Sequence, residues 1–152
     1  MRGDQVADPA ADPGGEIRAL LEPALRADPG VIAAFAGARV RIYNLSPPAG
    51  PESLFPYIAI GLGQVIPEQY DRIDVGEYIG QLHAWDRPTP RSTDRAGAIA
   101  AAALRVCLTL TGGSTANFAL GEVTKLPTRI LEDPDGMSIH AVAEASIPYD
   151  LA

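Results

Sequence analysis

The residues best suited to chemistry are two histidines, His83 and His140, with the carboxylates Asp86 and Glu144 near them in sequence. Two imidazoles and a carboxylate can hold zinc. Their spacing here matches no ligand pattern. Each histidine lies on the more polar face of a strand-like run, where surface or interface use is the plainer expectation. Asp133 and Asp135 resemble a fragment of a calcium loop, yet such a loop needs several more oxygen ligands in fixed order. Asp133-Pro134-Asp135-Gly136 reads better as a tight turn, with proline second and glycine last. Gly61, Gly63 and Gly76 form no strand-to-helix phosphate loop, and Gly112-Gly113 follows a helix where a phosphate cradle would precede one. No local signature of a nucleophile with His and Asp is present. The expectation is a protein without catalytic residues, cofactor or metal.

Residues that make contacts are easier to find. Trp85, the only tryptophan, shares a strand face with Gln81 and His83. Tryptophan is enriched at interface hot spots, while burial in the core is its commoner fate; both readings stay open. Arg87 and Arg91 bracket Pro88 and Pro90 in a stiff, exposed loop. Solvation and salt-bridge anchoring to a neighbouring subunit both fit them.

These residues must be positioned by a small set of elements. Residues 1–15 carry Asp4, Asp8 and Asp12 among Ala, Pro and Gly, and read as a disordered acidic arm. Ile17, Leu20, Leu21, Ala24 and Leu25 have helical spacing from Glu16 onward, with a kink or break expected at Pro23. Asp28-Pro29 predicts an N-cap and a short helix to Ala36, ended by Gly37. Strands are expected at Arg39–Tyr43, Tyr57–Ile66, Tyr78–Asp86, Phe118–Leu131 (with a defect at Pro127) and 138–147. Asn44–Pro56 and Pro67–Gly76 read as loops. An alanine-rich helix spans Asp94–Leu110, capped by Ser92, Thr93 or Asp94. Its stripe is Ile99, Ala103, Val106 and Leu110. The predicted fold class is α+β: a mainly antiparallel sheet of four to five strands, with two main helices packed on one face.

Composition narrows the function. The 152 residues suit one domain, residues 16–152 following the arm. The single Cys107 excludes an internal disulfide and lies in the apolar helix pattern, where a buried reduced thiol is expected. No secretory signal and no membrane span are expected. A net charge of −7 argues against gripping nucleic acid through phosphate contacts.

Several short motifs then occur in a telling order: Arg39-Val40 near Pro47-Pro48, Phe55-Pro56-Tyr57-Ile58, Leu82-His83-Ala84-Trp85-Asp86-Arg87, the alanine-rich helix, and Asp133-Pro134-Asp135-Gly136 with His140. In this order they resemble the tail-terminator, or tail-completion, proteins of long-tailed bacteriophages and gene transfer agents. The likeness covers roughly Glu16 to Tyr149; the acidic arm and Pro23 depart from the usual pattern. The resemblance implies a non-enzymatic virion protein at the tail–head junction, assembled in the host cytoplasm. It implies a ring of copies of itself, typically a hexamer, that caps the head-proximal end of the tail tube. Its partners would be the tail tube protein and a neck or head-completion protein, with DNA passing through unread and no membrane involved. Acidic residues lining such a bore would repel DNA phosphates. The loops Asn44–Pro56, Pro67–Gly76 and Arg87–Arg91 are expected to carry the contacts, with Tyr70, Arg72, Trp85, Arg87 and Arg91 as candidates. A head–tail connector or other neck protein is the alternative. A small-molecule binding domain or hydrolase would need a pocket with convergent polar groups.

Overall fold

A computed structural model describes residues 11–45, 47, 54–69 and 72–152. Its elements are α1 (Pro13–Ala27), α2 (Pro29–Ala34), β1 (Ile42–Asn44), β2 (Tyr57–Ile60), β3 (Gln64–Gln69), β4 (Arg72–Asp86), α3 (Asp94–Leu108), β5 (Phe118–Leu120), β6 (Thr124–Lys125), β7 (Arg129–Glu132) and β8 (Ile139–Leu151). The class is α+β, with a mixed sheet of eight strands and three helices among the described residues.

The eight strands occupy five lanes, which is why sequence reading counted four to five. β4 and β8 form the centre, paired antiparallel from Val75↔Asp150 to Asp86↔Ile139. β2 and β3 lie end to end along one side of β4, and β5, β6 and β7 along the far side of β8. The expected single strands Tyr57–Ile66 and Phe118–Leu131 are therefore broken, and the register slips by one residue at each break. Pro127 falls in the last break, where a residue without an N–H interrupts the ladder least. β1 runs parallel to β2, across the long link of residues 45–56; parallel pairing needs a connection of about a dozen residues or more, which this link supplies.

The break at residues 61–63 overturns one expectation. Leu62, read as sharing the buried face of Ile58 and Ile60, is 68% exposed, while those two are buried. Gly63 turns the chain there at φ +68°, and a Cβ on it would meet the Ile79 carbonyl and stand 2.5 Å from the Tyr78 hydroxyl. Gly63→Ala is expected to lower stability by about 2 kcal/mol in urea unfolding, from backbone strain plus the clash. No measurable loss would contradict this geometry.

A second correction concerns Pro67–Gly76. Its described residues, 67–69 and 72–76, belong to the β3–β4 ribbon, with Pro67 opposite Gly76 and Gln69 opposite Arg72. Gln64 to Glu68 are exposed, so the segment's polarity reports contact with water and not the absence of strand.

Helix α1 starts at Pro13, with the Asp12 side chain accepting from the Gly14 amide at 3.1 Å. This is inside the expected arm, whose residues 1–10 lie outside the described residues. The helix also continues through Pro23 to Ala27 instead of breaking. Pro23 sits on its exposed face, where the carbonyl that loses its partner can turn to water. Asp28 caps α2 as expected, accepting from the Val31 amide at 2.9 Å, but α2 ends at Ala34.

All three helices cover one face of the sheet. Tyr78, Leu82 and Ala84 of β4, with Ile139, Ala141, Ala143, Ala145 and Ile147 of β8, are buried in one cluster with Ile17, Leu21, Val31, Ile99, Ala103 and Val106. Alanines on α3 let its backbone approach the sheet closely. Cys107 is buried within that cluster, and loss of solvent pushes its thiol up to about 12. Glu16 ties α1 to the segment after α3. It accepts from the Thr115 hydroxyl at 2.8 Å and from the Asn117 amide and side chain at 3.0 and 2.8 Å. Burial raises the Glu16 carboxyl, but these hydrogen bonds outweigh it and hold the group below its ordinary value.

Candidate subunit and tail interface

The opposite face of the sheet carries an aromatic row. Residues alternate along β4, so Gln81, His83 and Trp85 point away from the helices and are half-buried. Trp85 lies opposite His140 of β8, and their rings stack at 3.8 Å with an 11° tilt. His83 Nδ1 lies 2.7 Å from His140 Nε2. Tyr57 of β2 lies opposite Trp85, its ring 6.3 Å away. Tyr43 and Phe55 meet Tyr57 at 5.8 and 5.3 Å. Beside this row is an open hollow of about 610 Å³, lined by Leu45, Pro47, Tyr57, Leu62, His83 and Trp85 among others.

Burial lowers both histidines, His140 to about 4 with a further push from His83. They are neutral near pH 7. Their nitrogens face each other at hydrogen-bond distance. Among the described residues no group of three or more His, Cys, Asp or Glu side chains converges on a point. Asp86 lies on the buried face, where Arg95 grips it.

The Arg87–Arg91 loop sits at the end of β4. Arg87 is held within the subunit: it donates to Ser138 Oγ at 3.3 Å and Asp135 Oδ2 at 3.2 Å, and lies over the Phe55 ring at 4.5 Å. Asp135 also accepts from the Ser138 hydroxyl and from the Ser138 and Met137 amides, and these bonds hold its carboxyl far below the usual range. The turn itself matches expectation, with the Gly136 amide donating to the Asp133 carbonyl at 3.0 Å. Arg91 is more exposed and pairs with Glu132 at 3.6 Å.

The structure thus separates the five candidates. Trp85 joins the aromatic row, Arg87 and Arg91 flank it, and Arg72 opens β4 at the opposite end of that strand. Tyr70 lies outside the described residues. Tyr43, Phe55, Tyr57 and His140 were missed as members of the row. The signal was available only through register: once β4 and β8 pair antiparallel with Trp85 opposite His140, the two histidines become diagonal neighbours.

The sequence profile of the family described as "Tail completion protein gp17" matches residues 19–150. The chain belongs to that family. Members are structural proteins of phage-type tails, so this tail-completion protein is a virion component. No curated protein matches its sequence. A chain in a solved structure titled "Virion of native gene transfer agent (GTA) particle" has the same fold, with a TM-score of 0.71 at 16% identity, over 91% of this chain and 96% of that one. The family match, residues 19–150, spans β4, α3 and all but the last residue of β8.

Proposed function

We propose that this tail-completion protein forms a ring on the head-proximal end of a tail tube, stops tube growth and offers the neck its docking surface. The observation that carries this reading is the family match across residues 19–150. Likeness in fold to a chain of a gene transfer agent virion supports it. So does the division of the sheet into a helix-covered face and a face left to aromatic side chains. A closed ring requires two different patches that meet head to tail. The helix-free row and the β3–β4 ribbon lie at different places on the molecule and are suitable patches. Trp85 and Arg91 are assigned to the contact. Arg87, engaged inside the subunit, holds the 87–91 loop in place for it. Arg72, which opens β4, is assigned to a second contact, and Tyr70 is assigned to it from the sequence alone. The mechanism is occupation of the growing end, with no bond made or broken.

Mixing the purified protein with tail tubes and imaging them by electron microscopy tests the reading. Rings at one tube end, and overlong or headless tails when the protein is deleted from its particle, are expected. Preference for the capsid portal over the tube end would replace termination with a connector role.

A further inference from the structure

We propose that His83 and His140 form an acid-sensitive latch that fixes Trp85 on the helix-free face. The argument starts from the 2.7 Å separation of His83 Nδ1 and His140 Nε2. One hydrogen fits between two nitrogens at that distance, and two do not. The neutral pair satisfies this with one ring donating. A single added proton is also tolerated, because an imidazolium still donates to its neutral neighbour and the Trp85 face favours a cation. A second proton places hydrogens on both facing nitrogens and two positive charges side by side. The rings must then part.

His140 cannot move without disturbing Trp85, since the two rings stack at 3.8 Å. His83 in turn is bounded by the β2–β3 break, where a Cβ on Gly61 would stand 2.9 Å from its Nε2. The other charged and titratable groups on this face do not relieve the repulsion. Glu144 of β8 and Arg129 of β7 pair with each other at 3.3 Å; Glu144 favours a proton on His83, whereas Arg129 disfavours one on both rings. Tyr57 of β2, raised by burial, carries no charge in the acid range, and Tyr43 of β1 packs edge-on against it. From β4 itself come Gln81 and Trp85, neither of which titrates. Asp86 is on the opposite face, held by Arg95. Burial, and after it the neighbouring His83, lowers the affinity of His140 for a proton, the direction this geometry requires for the second one. On the ring function proposed above, contacts made through Trp85 become acid-labile; the latch itself is a property of the single subunit and does not depend on that reading.

Trp85 is the only tryptophan, so intrinsic fluorescence of the full chain reports the latch directly. Between pH 7 and 3.5 the emission is expected to change in step with the His140 imidazole signal in NMR, while far-UV circular dichroism stays constant. In His83→Gln the amide can donate or accept, so the His140 titration is expected to rise by at least one pH unit. His140→Phe is expected to keep the stack and lose the fluorescence step. The proposal is overturned if both rings titrate near the ordinary value of about 6.5. It is equally overturned if His83→Gln leaves the His140 titration unmoved, or if the fluorescence step coincides with loss of the circular dichroism signal. Persistence of rings at pH 4 beside a positive fluorescence result would count against Trp85 as a ring contact and leave the latch standing.

Discussion

Replacing Arg95 with methionine is expected to lower the unfolding free energy by about 3 kcal/mol. Asp86 is the reason. Its side chain is 0% exposed at the end of β4, and Arg95, in the first turn of α3, grips it with Nε at 3.0 Å and a terminal nitrogen at 2.7 Å. The Arg87 amide adds one bond at 2.8 Å. Methionine keeps the apolar stem but leaves a buried carboxylate with one neutral donor. Removing one partner of a buried pair costs about 3–5 kcal/mol. The lower end applies because Arg95 is itself 32% exposed. Arg95→Lys keeps the charge and loses the two-pronged grip, so it should recover part of the loss. The deficit of Arg95→Met should shrink on acidification, since a stranded carboxylate can take up a proton and become neutral. Urea unfolding at two pH values measures both effects. A loss below about 1 kcal/mol at pH 7 would mean that Asp86 finds other partners.

Trp85→Ala is expected to weaken capping of tube ends at least tenfold while lowering subunit stability by only about 1–2 kcal/mol. The side chain is half-buried in the isolated subunit and stacks on His140 at 3.8 Å, so its removal loosens the row without opening the core. On the proposed function the same indole is covered again by a neighbouring chain, and truncating a doubly buried aromatic acts mainly on the contact. Titration of tube ends, counted by electron microscopy, gives the capping effect, and thermal unfolding of the subunit gives the stability effect. Equal capping by both proteins would remove Trp85 from the interface. Arg87→Glu is the weaker test, because it also breaks the bonds to Asp135 and Ser138 that shape the loop.

The parts of this protein legible in its sequence are those set by local spacing. Period-two alternation in 138–147 and in Tyr78–Asp86 gave the two central strands and their correct faces, because successive side chains of a strand must point oppositely. Asp28 before Pro29 gave a cap, and Asp133-Pro134-Asp135-Gly136 gave a turn, since both depend on a few adjacent bonds. The order of short motifs was enough to suggest the tail-completion family. Tertiary structure alone decided where a lane breaks, whether 67–69 and 72–76 are loop or ribbon, and whether Pro23 ends its helix. Each of these turns on what packs alongside, and a chain's own residues do not state that. The same holds for the pairing of His83 with His140, 57 residues apart in sequence. It exists because β4 and β8 align in one register, and register is settled by the burial of whole faces at once.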